Sequence, residues 1–376
     1  MKFHPFELER IQSKWEHVVE INLTESGVSP LTLGELIENP HSRPFLFDQY
    51  LGYTQTNGTE KLRNLIAADY SGTTTENVLV TNGGAEANFV AAWYLLGNRS
   101  NRDELVVLLP NYMQIFGIWK SLGGKVKPFY LKMSGNRWVP DIEGLKEVIS
   151  DKTAAVAICT PNNPTGAIIN ESQLREIADI ASDADAWLLS DEIYRGAELE
   201  DSNSPTSFDY SEKVMVTSSL SKVYGLPGLR LGWIITSDPK VTEDIWGYTD
   251  YTSICPTALS DYLGIIALSP DVRRRLEERA KTYVRANWHI MKEWLDQHED
   301  IINYIPPEAA SICFPRYHLE IESQKLVNRL RMERDVLIVP GTHFGMEKYL
   351  RIGFGYEEEK LREGLRRLSE FIFSLM

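Results

Sequence analysis

Short apolar runs alternate with helical periods through the middle of the chain. N-V-L-V-T (77–81), E-L-V-V-L-L (104–109), K-V-K-P-F-Y-L (125–131), T-A-A-V-A-I-C (153–159), A-W-L-L-S (186–190), K-V-M-V-T-S (213–218) and L-R-L-G-W-I-I-T (229–236) read as strands. Helical patterns separate several of them: from Gly83-Gly84 to near Gly97, over 112–122, and over 171–182. This order predicts an α/β fold, with helices on both faces of a mainly parallel sheet of the seven-stranded type. Ligands of such sheets bind outside the carboxyl ends of the strands. The turns expected there are Gly83-Gly84, 110–112, 161–166, 191–194 and 219–222.

After Trp233 the pattern changes. Long helical stretches are expected over 239–269 and 271–298, then strand-like runs, a helix near 323–333, V-L-I-V-P-G (336–341), Y-L-R-I-G-F (349–354) and a C-terminal helix. This is an α+β module, and the polar helix and I-N-L-T-E-S-G turn before Arg43 are expected to pack with it. The expected division is a large α/β domain over 45–275 and a small domain from 1–44 and 276–376.

Charge narrows the functional classes. The 376 residues carry a formal net charge of -14, which argues against nucleic acid as a partner. The basic clusters at 273–275 and 366–367 are interleaved with Leu and Glu at helical spacing and read as solvated helix faces. The 3 cysteines form no CxxC pair and suggest a reducing, cytoplasmic setting. The polar opening M-K-F-H-P-F-E-L-E-R does not resemble a signal peptide, and no apolar run nears the roughly 20 residues of a membrane span. The histidines show no metal-ligand spacing, so no metal is expected.

The candidate chemistry centres on S-S-L-S-K-V-Y-G-L-P-G-L-R-L-G-W (218–233). A lysine at its ordinary pKa is a poor nucleophile at neutral pH; in a dry, cation-rich pocket it loses its proton and can form a Schiff base. Alone, Lys222 would read as a surface charge. Its neighbours Ser219, Ser221 and Arg230 offer two hydroxyls and a bidentate guanidinium, a donor set suited to a phosphate dianion. An amine beside a phosphate pocket points to pyridoxal 5′-phosphate.

S-L-S-K-V-Y-G-L-P-G-L-R-L-G (219–232) resembles the cofactor-attachment signature of class I/II aminotransferases, the aspartate-aminotransferase-like branch of fold-type I. Further segments resemble that family, in family order, over roughly 50–355. The resemblance implies a role for each matching residue. Asn163 in C-T-P-N-N-P-T-G and Tyr194 in D-E-I-Y would meet the cofactor's phenolic oxygen, and Asp191 would keep the pyridine nitrogen protonated. Backbone N–H groups of Gly83, Gly84 and Ala85 would meet the phosphate. Tyr112 would stack on the ring, and Arg351 in Y-L-R-I-G-F-G would clamp the substrate's α-carboxylate. Tyr53 would reach the phosphate of a neighbouring subunit, which implies a homodimer with shared sites. Each residue also has a structural reading by itself. The Asn-Pro pair is a turn, Asp-Glu a helix cap, a lone tyrosine usually core, and a strand-end arginine usually surface.

The implied activity is transfer of an amino group between an amino acid and a 2-oxo acid, with Lys222 and Asp191 as the catalytic pair and Tyr194 beside them. I-N-L-T-E-S-G-V-S-P (21–30) departs from the family's common covering segment, and the Pro-Asn-Tyr-Met-Gln wording is also unusual. Together they are similar to a subgroup containing capreomycidine-synthase-like enzymes, which use the fold for β-replacement and ring closure. That outcome shares all the machinery above, so both reactions stay open. A regulator using the cofactor only as a ligand would normally add a DNA-binding module, for which the acidic chain leaves no room.

Overall fold

The computed structural model describes residues 3–38, 46–98, 101–201 and 203–376. A two-residue strand, Ile21–Asn22 (β1), precedes eight strands that form one sheet: Val78–Thr81 (β2), Glu104–Leu109 (β3), Lys125–Ser134 (β4), Arg137–Pro140 (β5), Thr153–Cys159 (β6), Trp187–Asp191 (β7), Val214–Ser219 (β8) and Gly232–Thr236 (β9). Their order across the sheet is β2-β9-β8-β7-β6-β3-β4-β5. The four central pairings, from β4 through β3, β6 and β7 to β8, are parallel. β9 runs antiparallel between β8 and β2. The connection 220–231 that carries Lys222 holds only a short turn at Pro227–Leu229 and no crossover helix, and β9 returns beside β8 in the opposite sense.

The seven expected strands are present, and the sheet is mainly parallel as the sequence predicts. An eighth, β5, closes a hairpin with β4 at the sheet edge. Its four residues, R-W-V-P, are too few to show a period of two. Alternation on the central strands serves two cores. Ala155 and Ala157 of β6 pack with the helices Gly84–Gly97 and Gln114–Ser121 on one face, while Val156 and Ile158 join the larger core on the other.

The stretch expected to be one helix over 239–269 is two, Pro239–Thr249 and Ala258–Ala267. Ile254 adopts a left-handed φ of 67°, Pro256 withdraws an N–H, and Thr257 caps the second helix through the Ser260 N–H. The long helix Pro270–Asp296 follows. Arg273 on it is not a solvated residue: it turns inward and pairs with Asp69 and Glu277.

The C-terminal region holds short strands, Ile302–Asn303 (β10), Ile312–Cys313 (β11), Arg316–Tyr317 (β12), Val336–Leu337 (β13), Val339–Pro340 (β14) and Leu350–Gly353 (β15). The helices Ser323–Arg334 and Glu358–Phe373 pack beside them. β1 pairs in parallel with β13, so the N-terminal segment lies against this region. The expected boundary at residues 44/45 lies outside the described residues. Among the described residues, no helix is long and apolar enough to cross a membrane.

Candidate active site

A cavity of about 390 Å³ opens at the carboxyl ends of the central strands. Gly84 and Ala85 line it after β2, Tyr112 after β3, Asn163 after β6, Asp191 and Tyr194 at β7, and Ser221 and Lys222 after β8. Arg230 and Arg351 complete this part of the wall. Ten of the twelve expected same-chain site residues therefore share one lumen, while Gly83 and Ser219 lie immediately behind it.

One end of the cavity is built to receive an anion. Gly83 has φ 90° and caps the helix Gly84–Gly97 with no side chain, so the first N–H groups are left for another acceptor. A Cβ at Gly83 would sit 2.4 Å from Nη2 of Arg230. Only glycine tolerates both that backbone angle and that approach. Arg230 has left-handed φ of 48° and donates from Nη1 to the Pro227 carbonyl at 3.2 Å. Among the described residues, no carboxylate lies within ion-pair distance of it. Ser219 is buried, and its hydroxyl oxygen accepts from the Ser221 N–H at 3.1 Å.

Asp191 forms the opposite end. It is the last residue of β7, held in register between Cys159 and Thr217. Its carboxylate accepts from Nδ2 of Asn88 at 2.9 Å and from the Ile193 N–H at 3.2 Å. Burial pushes its pKa above the ordinary carboxylate value, against the pull of those donors and the nearby Lys222.

A third group links the sheet to the C-terminal region. Asn163 donates to the Tyr194 hydroxyl at 3.2 Å, and Tyr194 donates to Ser26 at 2.8 Å. Burial raises the Tyr194 pKa far above its usual value, against the lowering influence of Arg351. Arg351 is fully buried on β15 and donates to Asn163 Oδ1 at 3.0 Å and to the Thr24 carbonyl. Among the described residues its Nε has no hydrogen-bond partner. Burial lowers its pKa, opposed by the field of Tyr194, Glu25 and Glu9. A buried guanidinium with spare donor capacity is a site for a planar anion.

The family model for aminotransferase class I and II matches residues 40–368. This chain belongs to that family. The chain is 30% identical over 315 residues to capreomycidine synthase of Streptomyces vinaceus, covering 83% of this chain and 79% of that one. It is 27% identical to an aspartate aminotransferase of Pyrococcus horikoshii, over 95% of this chain and 91% of the relative. Among solved structures, a PLP-dependent aminotransferase from Streptococcus suis superposes with a TM-score of 0.92 at 31% identity, covering 100% of this chain and 99% of that one. The family is dependent on pyridoxal phosphate.

Besides Asn88, Gln114, Cys159, Ile193 and Pro227, the remaining lining of the cavity comes from the N-terminal region, whose individual residues sequence reasoning did not bring to the site. The helix Glu7–Trp15 and the turn after β1 supply Glu9, Gln12, Glu16, Glu25 and Ser26 to the lining. Glu25 lies 3.8 Å from the Lys222 ammonium. Glu9 accepts from the Tyr112 hydroxyl at 2.7 Å, while Phe6 meets the Tyr112 ring edge-on. Burial raises the Glu16 pKa, and the charges of Glu25 and Glu9 add to that. The only sequence signal for this wall was the departure of residues 21–30 from the family form. Gly353 and Gly355 lie directly beneath it: a Cβ at either would stand 2.0 Å from the Glu25 carbonyl oxygen or 2.1 Å from that of Gly27.

Tyr53 does not reach this cavity. It is 83% exposed, in a loop joined to the 250–257 break by the Thr54 hydroxyl, which donates to the Pro256 carbonyl at 3.2 Å. Phe47, Tyr50, Leu51 and Tyr251 are also exposed there. Among the described residues no group of His, Cys, Asp and Glu is arranged to hold a metal ion.

Proposed function

We propose that this chain is a pyridoxal-phosphate-dependent aminotransferase that moves an amino group between an amino acid and a 2-oxo acid. One observation carries the reading: an amine, Lys222, a buried carboxylate, Asp191, and a buried guanidinium, Arg351, face a single cavity beside a glycine cradle and Arg230, which has no carboxylate partner among the described residues. That cradle fits a phosphate, because φ of 90° at Gly83 favours a residue without a side chain and the Arg230 guanidinium lies directly against it. When bound, the cofactor supplies an electron sink for charge developing at the substrate's α-carbon.

The protein's residues then have distinct tasks. The N–H groups of Gly84 and Ala85, with Ser219, Ser221 and Arg230, would hold the phosphate, while the Gly83 N–H, expected to join them, donates instead to the Thr81 carbonyl at 2.9 Å. Asp191 would hold the proton on the ring nitrogen, Asn163 and Tyr194 would face the ring oxygen, and Tyr112 would cover the ring. Lys222 would hold the aldehyde carbon and, once freed, carry the proton away from the substrate's α-carbon. Arg351 would fix the α-carboxylate bidentately. Glu9, Glu16 and Glu25 face the lumen as well, which supports an amino donor with a positively charged side chain.

The second reading is β-elimination, β-replacement or cyclisation on the same machinery. The similarity to capreomycidine synthase favours it, together with the acidic wall. Titrating holoenzyme with an amino-acid panel separates the two. An oxo acid formed stoichiometrically without acceptor, with the cofactor left as its amine, supports transamination. Release of a β-substituent with the cofactor unchanged supports the second reading.

The assembly proposed is a cytoplasmic homodimer, each subunit made of the 45–275 domain and a small domain from the two termini. The exposed apolar residues around Tyr53 support a partner at that surface.

A further inference from the structure

Asn88, which no motif names, is buried one turn into the helix Gly84–Gly97 and lines the cavity. Its amide is fully engaged. Oδ1 accepts from the Thr217 hydroxyl at 2.7 Å, and Nδ2 donates to Asp191 Oδ2 at 2.9 Å and to Gln114 Oε1 at 3.2 Å. Gln114 in turn donates to the Ala85 carbonyl at 3.0 Å. An ionised Asp191 carboxylate can only accept, which turns the Asn88 amino group toward it and leaves the amide oxygen to take the proton of the Thr217 hydroxyl, which holds the amide in that orientation.

Two consequences follow from placement alone. Gly84 and Asn88 are four residues apart, on the same face of one helix. The helix whose N-terminus offers N–H groups to an anion thus also reaches the carboxylate at the far end of the cavity. Second, among the described residues the Asp191 carboxylate has two hydrogen-bond donors, Asn88 and the Ile193 N–H, with Lys222 as the charged group that favours its ionised form. A hydrogen bond donated to a carboxylate lowers its basicity, whereas burial raises it.

We propose that Asn88, oriented by Thr217, is the positioning residue for Asp191, fixing the direction and basicity of its carboxylate so that a proton shared with the cofactor's ring nitrogen stays on the nitrogen. The proposal rests on the reading that Asp191 faces that nitrogen. Without the Asn88 donor, the desolvated carboxylate becomes the stronger base and takes the proton.

The test uses holoenzyme loaded with pyridoxal phosphate labelled with ¹⁵N in the ring. Wild type is expected to show the shift of a protonated nitrogen at neutral pH. Asn88→Ala is expected to move it toward the unprotonated value and to lower kcat by about ten- to a hundredfold, the loss of one hydrogen bond to a charged group, with little change in KM. An N-methylated cofactor, permanently cationic, should restore much of kcat in this variant, which no merely structural role would allow. Thr217→Val leaves Asn88 in place and should shift the signal the same way by less, so the proposal remains testable if Asn88→Ala does not fold. Asp191→Asn separates the two levels. If it loses the protonated signal while Asn88→Ala and Thr217→Val keep it, the inference about Asn88 is overturned alone. If Asp191→Asn keeps the signal, the underlying reading of Asp191 fails with it.

Discussion

The cavity has two walls of different construction. One is the carboxyl edge of the large sheet, where Asp191 and Lys222 lie at or just past strand ends and register fixes their spacing. The other is the N-terminal cover, which holds its place through a short pairing of β1 with β13 and a few hydrogen bonds, among them Gly353 N–H to the Leu23 carbonyl at 2.8 Å and Ser29 N–H to the Gly355 carbonyl at 2.7 Å. The rigid wall carries the groups that suit a cofactor. The attached wall carries Glu9, Glu16 and Glu25, which face the lumen, with Glu9 held by the Tyr112 hydroxyl and Glu25 near the Lys222 ammonium. Chemistry and selection thus occupy separate parts of the chain, and substitutions should divide accordingly.

The largest effect is expected on the rigid wall. Lys222→Ala should lower turnover by about 10⁴-fold or more, the upper range for a lost proton-transfer group, while cofactor binding stays detectable through the phosphate donors. Borohydride reduction followed by peptide mapping checks the assignment, since labelling at any other lysine would contradict it.

Arg351→Lys probes the join between the walls, because Arg351 touches Asn163 on one side and Thr24 on the other. Replacing a planar fork by a point charge should raise KM for amino acids by about ten- to a hundredfold. Amines lacking a carboxylate should be spared; an equal loss for them would show that Arg351 serves another purpose.

On the cover, Glu25→Gln should lower kcat/KM for donors with cationic side chains by about tenfold and leave neutral donors nearly unchanged. The pH dependence has a definite sign. The raised pKa of Glu16 means that its charge is lost on acidification earlier than for an ordinary glutamate. The preference for cationic donors should therefore fall as pH drops through that raised value and be full above it. Steady-state kinetics with a lysine-like and a leucine-like donor between pH 5 and 8 provides the measurement. A preference that does not change with pH would remove the acidic wall from substrate selection.

The smallest effect should come from Tyr53→Phe, a severalfold loss of cofactor affinity through one hydroxyl. Mixing such subunits with Lys222→Ala subunits should regenerate sites that pair a wild-type Lys222 with a wild-type Tyr53. Full activity from a monomer would end the shared-site proposal.

The rigid wall was legible in the sequence because its parts are local. A strand, a turn and a polar residue at the turn are adjacent in the chain, so D-E-I-Y and S-L-S-K carry their own geometry. Arg351 was legible only through the family resemblance of Y-L-R-I-G-F-G, since a strand-end arginine by itself reads as a surface residue. The cover was not legible. Glu9, Glu16 and Glu25 read as charges on a polar helix and turn, and they become cavity residues only when β1 meets β13, more than three hundred residues away. Asn88 was hidden differently: it sits among apolar neighbours in an Ala-rich helix, and only Thr217 and Asp191, from other strands, give its amide a direction. The break at 250–257 carried one sequence mark, Pro256, which was passed over, while the left-handed Ile254 leaves no mark in composition.

Gly353 and Gly355 carry a consequence for size. Both lie under the backbone of the cover, at separations no side chain could occupy. They act as a spacer of minimum thickness between the strand that bears Arg351 and the turn that bears Glu25. A methyl group at either position would lift that turn and draw the acidic groups away from the guanidinium. The reach of substrate that the cavity can measure, from carboxylate to distal charge, is thus gauged by two residues that have no side chain to touch it.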